Sequence, residues 1–392
     1  MADTFYFSRD TKVYLVQRTT ASASAFVKWE IPVLDGFSFS QATNTSEITL
    51  NEMQEHSSNK SRRSRQMFTD SYAPAEWSFS TYMRPFASTN GATGGWEASG
   101  SDDIHHSVEE PLWANFVANN TGAPSVTSTE FVWADGITGT TSGSTIDFTG
   151  SERAELGTFD LYFEMGGAGG GTKTIYKISG CCVNSASIDF DIDGIATINW
   201  SGMGKIIAEE AAVPTGNTVT TITEGTAHTD TGNFIRNRLT TLQATGNAGG
   251  SSVTYGLTLT GGNITFENNI TFLTPETLGV VNQPLGHVTG TRSVSGNFTC
   301  YLNAESNASA DLFENIIEDT DQIVNDFNLV FNIGGASTPK VAITVPNAHL
   351  EVPTHSIDDI ISIDTNFHGL PASIDPDTTA GNYEASIVYT GA

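Results

Sequence analysis

The chain has 392 residues, with 44 Asp and Glu against 17 Lys and Arg, so its formal net charge at pH 7 is −27. This balance excludes a nucleic-acid reader that relies on Lys and Arg to displace phosphate counterions. No run of about 18 apolar residues occurs, and residues 1–10 lack the basic head and apolar core of a secretory signal. We therefore expect no membrane insertion and folding in a cytoplasm.

Alternating apolar and polar residues predict β-strands along most of the chain. The clearest alternation lies at residues 37–40, 77–82, 159–163, 188–193 and 327–331. Clusters of Gly, Ser, Thr and Asn separate these segments and are typical of turns. Only residues 111–118 and 309–318 predict helices, each of two to three turns. The predicted fold class is mainly β.

The two predicted helices carry the same apolar stripe, which indicates an internal repeat. The matched residues, displaced by 200 positions, are Leu112, Trp113, Phe116 and Val117 in the first helix and Leu312, Phe313, Ile316 and Ile317 in the second. Flanking segments match in the same order, namely 79–83 with 298–302, 159–167 with 327–335, and 200–202 with 367–369. The order of elements therefore predicts two tandem domains.

We place domain 1 at residues 1–207, a polar linker at 208–231 and domain 2 at 232–392. Domain 1 is the longer one because of insertions at about 84–106 and 118–156. Both insertions are rich in Gly, Ser and Thr, so we expect surface loops that face outward.

Three acidic residues open a segment that is similar to a calcium loop. Asp189, Asp191 and Asp193 alternate before Gly194, but Trp200 stands where such a loop needs a Glu, and the flanks predict strands. The favoured alternative is the solvated face of an amphipathic strand. We expect no metal here.

Two further motifs are weaker. Residues 166–173 form a Gly-rich run before a Lys, but a phosphate loop needs Gly directly before that Lys and a helix after it. His105, His106, Glu109 and Glu110 carry metal-ligating side chains, yet they lead into a helix whose first turn favours acids. We expect a hairpin turn and a helix start, and no cofactor.

No catalytic set stands out in the chain. It contains no Gly-x-Ser-x-Gly elbow and no His-Glu-x-x-His, and no Cys has a suggestive His partner. Cys181, Cys182 and Cys300 make an odd count without a CxxC spacing, so we interpret them as free, mostly buried thiols. The expectation is a protein that is not an enzyme.

One short segment of the chain concentrates several basic residues. Lys60, Arg62, Arg63 and Arg65 supply four of the 17 cations within six residues, in a long polar stretch between two strands. A solvated loop is one interpretation. The other is a contact with an acidic surface, for which another copy of this acidic protein is the natural partner.

The second half of the chain contains a characteristic series of segments, namely 264–266, the loop 278–292, 296–303, the helix 312–317, and the closing segments 340–346, 350–353, 360–367 and 383–389. This series resembles the major tail tube proteins of tailed bacteriophages. Residues 7–15 are similar to the start of such proteins. The resemblance implies two tandem tail-tube-like β-sandwich or half-barrel domains, each with one short α-helix and long hairpin loops.

The resemblance also implies a function. Many tube proteins have one domain and form hexameric rings, so three chains with two domains each would form a homotrimeric ring with pseudo-sixfold symmetry. Stacked rings would form a virion conduit for DNA ejection, assembled in the host cytoplasm. The implied partners are further copies of the chain, tail initiator or baseplate, terminator and tape-measure proteins, and in some phages a sheath, while genomic DNA passes without sequence-specific binding.

Under this hypothesis an acidic lumen repels DNA phosphates, so that the genome slides without sticking. We expect Asp189, Asp191, Asp193, Ser362 and Asp364 to lie on or near the lumen-lining strands. The Lys60 to Arg65 loop would contact the acidic face of the neighbouring ring.

Two alternatives come from other classes. A two-domain β-sandwich carbohydrate-binding or surface protein would use exposed aromatic residues such as Trp96 or Trp133 as its platform. An acidic secreted hydrolase would need an export signal, which residues 1–10 do not carry.

Overall fold

The computed structural model describes most of the chain. The described residues are 5–18, 26–49, 65–88, 104–118, 125–126, 131–133, 135–148, 156–167, 171–215, 219–222, 231–248, 251–318, 327–372 and 383–391. They form 26 strands and two α-helices, so the mainly β prediction is confirmed. Both predicted helices occur within one residue of their expected bounds.

The first half contains fifteen of these strands. They are β1 (Tyr6–Arg18), β2 (Phe26–Ile31), β3 (Ser38–Thr49), β4 (Arg65–Tyr82), β5 (Pro85–Ala87), β6 (His105–Ser107), β7 (Ser125–Val126), β8 (Phe131–Val132), β9 (Ile137–Thr140), β10 (Gly143–Asp147), β11 (Phe159–Gly167), β12 (Gly171–Phe190), β13 (Thr197–Gly204), β14 (Ile206–Glu210) and β15 (Val219–Ile222). Helix α1 (Glu110–Val117) follows β6.

The second half begins with two 3-10 turns, Thr231–Asn233 and Asn237–Leu239. Its strands are β16 (Thr241–Ala248), β17 (Ser251–Leu257), β18 (Leu259–Glu267), β19 (Thr271–Leu273), β20 (Gly286–Val288), β21 (Ser293–Tyr301), β22 (Phe327–Ile333), β23 (Lys340–Leu350), β24 (Thr354–Ile357), β25 (Ile361–Gly369) and β26 (Ser386–Thr390). Helix α2 (Ser309–Glu318) follows β21.

Seven antiparallel strand pairings occur in both halves in the same order. The pairs are β1–β2 and β16–β17, β1–β11 and β16–β22, β11–β12 and β22–β23, β12–β14 and β23–β26, β3–β4 and β18–β21, β4–β13 and β21–β25, and β12–β13 and β23–β25. The two halves therefore repeat the same arrangement of strands, with the long strands β12 and β23 in matching positions, and one continuous apolar core contains residues of both.

The long strand β12 changes sheets at Gly180. Its first part pairs with β11 and β14, and its second part pairs with β13 and β18. Gly180 has a φ of 57°, a left-handed conformation in which a side chain is strained, so Gly permits the bend here.

Among the described strands, the longer of the two ladders between the halves joins β12 to β18. Residues 185–190 of β12 pair with residues 267–262 of β18, which merges two four-strand groups into one sheet in the order β3, β4, β13, β12, β18, β21, β25, with β24 and the end of β23 on the far side. The proposed linker at 208–231 includes the end of β14 and the strand β15, which pairs in parallel with β2.

The expectation that both insertions of the first half are outward-facing loops is wrong for their described parts. In the second insertion, β9 and β10 form a hairpin, and β10 pairs with β26 at the end of the chain. In the first, β5 pairs with β6, and the three residues of β6 are buried. Composition did not reveal this, because the covering strands come from residues far away in the sequence.

Helix α1 lies at the centre of the core. All eight of its residues are buried, and the Trp113 ring lies 4.8 Å from the ring of Trp200 and 5.6 Å from that of Phe266. The Trp113 Nε1–H donates a hydrogen bond of 2.8 Å to the Tyr389 hydroxyl of β26. Removing such a buried Trp side chain costs about 3–5 kcal/mol of stability. Trp113 therefore connects the sheet, the helix and the end of the chain.

Buried ionisable side chains contact each other in the same region. Arg292 Nη2 lies 2.9 Å from Glu384 Oε2, with both side chains 5% exposed. Glu110 pairs with His106 at 2.9 Å, and Glu109 is fully buried beside Tyr389 and Arg84. Burial raises the pKa of Glu109 to about 7, because a carboxylate loses its hydration there.

Replacing Glu109→Gln should flatten the pH dependence of stability. The folded-state pKa of Glu109 lies above its unfolded value of 4.5, so the folded protein binds the extra proton and loses stability as the pH rises from about 4.5 to about 7. Between pH 5 and 8 the parent chain should lose about 3 kcal/mol more unfolding free energy than the variant. Urea unfolding across this range measures it, and the exposed Glu76→Gln is the matched control. Equal slopes for the parent and Glu109→Gln would contradict the assignment.

Candidate functional site

The sheet that crosses both halves has one apolar side and one polar side. Its apolar side packs on the core and includes Trp77, Phe79, Ile188, Ile198, Trp200, Ile264, Phe266, Phe298, Ile363 and Phe367. Its opposite side, which we call the polar face, consists of Ser38, Ser40, Glu76, Ser78, Ser80, Thr197, Asn199, Ser201, Ser185, Ser187, Asp189, Asn263, Thr265, Glu267, Ser295, Asn297, Thr299, Ser362, Asp364, Asn366 and His368. Successive side chains of each strand point to opposite sides of the sheet, so apolar and polar residues that alternate along the strand lie on different sides.

The polar face carries acids but neither Lys nor Arg. Its acids are Glu76, Asp189, Glu267 and Asp364, and Glu351 adjoins it beside β25. Lys12, Lys28, Lys173 and Lys177 lie on the other sheet of the first half, where Lys12 pairs with Glu30 and Lys177 with Asp160, both at 2.9 Å. Lys340 begins β23, and Arg65 begins β4 beside Glu47. These strand cations are therefore not among the residues of the polar face.

Neighbouring strands hold the polar side chains in place through hydrogen bonds. The Ser80 hydroxyl donates to Asn199 Oδ1 at 2.6 Å, and Asn199 Nδ2 donates to Asp189 Oδ2 at 3.3 Å. At the far side, Asn366 Nδ2 donates to Glu351 Oε2 at 2.8 Å. This bond and the contact with His368 lower the pKa of Glu351, so it stays ionised.

The structure brings together three of the five residues expected near a lumen. Asp189, Ser362 and Asp364 lie on the polar face. Asp191 and Asp193 lie just beyond β12, in the exposed turn that leads to β13. Arg238 Nη1 approaches Asp193 Oδ1 at 3.9 Å with both side chains exposed, a contact that contributes little energy.

The sheet ends in two strands with open edges. Among the described residues, β3 pairs with β4 alone and β24 pairs with β25 alone. All four residues of β24 are exposed, its last residue Ile357 at 79%, and Val352 just before the strand is 63% exposed. Unpaired strand edges beside exposed apolar groups favour pairing with another chain.

Long hairpins project from one end of the sheet, which we call the hairpin end. They are β3–β4 and the segment 268–292, which contains β19 and β20. The Tyr72 N–H donates to the Asn282 carbonyl at 2.9 Å, and Cys182 Sγ lies 3.0 Å from His287 Nδ1. The hairpins of the two halves therefore contact each other. Their exposed apolar residues include Met67, Phe68, Leu278, Val280 and Leu285.

The opposite end, which we call the turn end, is acidic. It consists of the turn after β12, with Asp191 and Asp193, and the turn between β24 and β25, with Asp358 and Asp359. Ile192 and Ile360 are exposed there at 49% and 63%. The two ends therefore differ in both shape and charge.

Arg65 is the one member of the basic cluster within the described residues. Lys60, Arg62 and Arg63 lie outside the described residues. Arg65 begins β4, is 74% exposed, and its Nη1 lies 3.4 Å from Glu47 Oε1 on the paired strand. Because β3 and β4 lead towards residues 60–63, the cluster is connected to the hairpin end.

Other candidate ligand sites have structural roles where they are described. His105 Nδ1 accepts a hydrogen bond of 2.8 Å from the Gly391 N–H, and His106 pairs with Glu110. In the part of the chain that the structure covers, no three His, Cys, Asp or Glu residues are placed to hold a metal ion. Over the same residues, no helix has the length and apolar character needed to cross a membrane.

The aromatic platform expected for a carbohydrate binder is not formed by Trp133. This side chain is 4% exposed, stacks on Trp29 with ring centroids 5.5 Å apart, and donates to Glu110 Oε1 at 2.6 Å. Sequence reasoning missed this because the partners are distant in the chain. Trp96 lies outside the described residues.

A model of the family described as phage tail tube protein matches residues 86–378. The chain belongs to this family. It is also similar to the tail tube protein pb6 of Escherichia phage T5, with 29% identity over 373 residues that cover 94% of this chain and 73% of that protein. The resemblance seen in the sequence is confirmed, and the chain is a structural tail tube protein of a phage virion.

Burial disfavours the reactive thiolate form of the three cysteines of this tail tube protein. Cys181, Cys182 and Cys300 are free and buried. Desolvation raises the pKa of Cys182 and of Cys300 to about 12, and that of Cys181 also rises. Cysteines introduced at exposed positions will therefore react against a low background.

Proposed function

We propose that three copies of this chain close into a ring with pseudo-sixfold symmetry, and that stacked rings form an acidic conduit for DNA ejection. The role is structural and non-catalytic. The observation that carries the proposal is the sheet that crosses both halves, with one polar, cation-free side and two open edges. Each half contributes four strands to it, in keeping with duplicated domains at residues 1–207 and 232–392.

The ladder within the chain serves as the template for the ladder between copies. Ser187 of β12 lies opposite Thr265 of β18. The matched pairings make Ser187 equivalent to Glu351, since their β13 and β25 neighbours, Asn199 and Asn366, correspond at a displacement of 167. Asn199 lies opposite Ser80 of β4 and Asn366 lies opposite Asn297 of β21, so Ser80 and Asn297 are equivalent. Two residues before each of them, Ser78 lies opposite Ser38 and Ser295 lies opposite Thr265, so Ser38 is the equivalent of Thr265.

Repeating this ladder between copies places Glu351 of one copy opposite Ser38 of the next. The edge strands of all copies then pair, and a closed sheet has no open edges. The polar face lines the lumen of this ring.

A double variant with Ser38→Cys and Glu351→Cys tests the ring. Directly opposite residues have Cβ atoms about 5 Å apart, so mild oxidation of assembled protein should link copies covalently into closed trimers, seen by denaturing electrophoresis. Each single variant should give no ladder, and Ser38→Cys with Ser356→Cys is the out-of-register control. Hollow tubes in negative-stain electron microscopy without this cross-link would contradict the register. A persistent monomer at high concentration, even with preformed tube seeds, would contradict the function.

In the proposed ring, the polar face determines the charge along the path of the DNA. Asp189 and Asp364 contribute negative potential on the polar face, together with Asp191 and Asp193 in the turn at its end. Like charges keep DNA phosphates away from the wall, whereas a Lys there would bind phosphates and repeat in every ring.

Thr265→Lys should therefore leave tubes intact but slow DNA release from assembled virions severalfold, and more strongly at low salt. Asp189→Asn with Asp191→Asn and Asp193→Asn should slow release to a smaller extent. Thr172→Lys, at an exposed position on the other sheet, is the matched control and should have no effect. Normal release by both the Lys variant and the Asn variants would rule out the polar face as the lumen wall.

Rings stack in this proposal with the hairpin end of one against the turn end of the next. The basic cluster Lys60 to Arg65 then approaches the acidic turns, and opposite charges guide the register of two rings. Tail initiator, terminator and tape-measure proteins would meet the exposed ends of the tube.

Changing Lys60, Arg62, Arg63 and Arg65 to Glu should abolish tube growth while single rings still form. Adding Asp191→Lys and Asp193→Lys should restore part of the growth, because the charge pairing is re-created with reversed sign. Light scattering during elongation from seeds measures both effects. Unimpaired growth of the Glu variant would remove the cluster from the ring contact.

A further inference from the structure

The two helices differ in how completely they are covered. Every residue of α1 is buried. In α2, Phe313 and Ile316 are half-buried and Ile317 is 52% exposed. Since both helices carry the same apolar stripe, the difference lies in the elements that pack over them.

Part of the cover on α1 comes from the other half of the chain. Phe266 of β18 lies with its ring centroid 5.6 Å from that of Trp113 and 6.5 Å from that of Phe116. It reaches α1 because the ladder between β12 and β18 places Phe266 directly opposite Ala186. The ladder that joins the two halves therefore also brings Phe266 of the second half over helix α1 of the first.

The corresponding residues exist at the open edges. Phe313 and Ile316 of α2 match Trp113 and Phe116 at the displacement of 200. Phe39 of β3 matches Phe266, because the neighbouring residues Ser38 and Thr265 are equivalent in the ladders. The local sequences agree, with Phe-Ser-Phe-Ser-Gln at 37–41 and Ile-Thr-Phe-Glu-Asn at 264–268.

We propose that Phe39 of one copy packs against Phe313 and Ile316 of α2 in the neighbouring copy, as Phe266 packs against α1 within the chain. This inference rests on the proposed ring. It assigns α2 and residues 349–351, at the end of β23, of one copy and β3 of the next to one interface, with an aromatic contact beneath the strand pairing. The cover over the exposed stripe of α2 is therefore completed by a neighbouring copy.

The surroundings of both residues fit this contact. Phe39 is half-buried and lies against Phe163 and Tyr176 of its own copy, with ring centroids at 4.6 Å and 5.6 Å. Phe313 meets His355 of β24 edge-on at 4.8 Å, so the exposed stripe of α2 lies directly beside the open strand. Pairing of β3 with the end of β23, which directly precedes β24, would bring Phe39 over the stripe and remove apolar surface from water.

A double-mutant cycle across the interface tests the proposal. Phe39→Ala and Phe313→Ala should each raise the critical concentration for tube elongation from seeds, because each removes the same contact between copies. The double variant should raise the critical concentration by less than the product of the two single effects. The difference from that product, which measures the coupling between the two side chains, should be about threefold to tenfold. In the unassembled chain, the shifts of Tm should simply add, because no contact joins these side chains within one copy.

Two controls keep the result specific. Val280→Ala, at the hairpin end, should combine multiplicatively with Phe39→Ala, since the two residues lie at different contacts. If Phe39→Ala lowers the Tm of the unassembled chain strongly, Phe39→Leu replaces it in the cycle. Multiplicative effects for Phe39 and Phe313 in tubes that still form would overturn this contact and leave the tube function standing. Failure of the parent chain to elongate seeds would overturn both.

Discussion

The ladder between β12 and β18 is the interaction on which the rest of the structure depends. Six residue pairs join residues 185–190 to residues 267–262, and their backbone hydrogen bonds merge two sheets into one. The same ladder brings Phe266 over helix α1 and continues the polar face from one half to the other. It also determines which strands remain at the ends, so the open edges of β3 and β24 follow from it.

Charge is distributed unevenly over this framework. The net charge of −27 comes mainly from a lack of cations, and the residues that form the polar face include neither Lys nor Arg. Lys12 and Lys177 pair with acids on the other sheet, at partly exposed positions where an ion pair contributes little to stability. In the proposed tube, this arrangement would present DNA with a wall of hydroxyl, amide and carboxylate groups.

Buried polar groups connect the end of the chain to α1. Arg292 pairs with Glu384, Tyr389 accepts from Trp113, and His105 accepts from Gly391. Buried charges cost desolvation energy, and their partners must be placed accurately to offset it. The first-half strand β10, by pairing with β26, excludes water from this cluster. What looks like a decorative insertion in the sequence is therefore part of the core.

The sequence alone determined the mainly β fold, the two short helices and the family, because these depend on local alternation, on the stripe from Leu112 to Val117 and its copy at 312–317, and on segments such as 296–303. It also placed Asp189 and Asp364 each on the polar side of an alternating strand. Only the tertiary structure placed those faces together, since ladders join residues far apart, as in the pair Asp189 and Asn263. Trp133 shows the limit most clearly: an aromatic residue between polar loops is buried because Trp29 and Glu110, about a hundred and about twenty residues away, cover it.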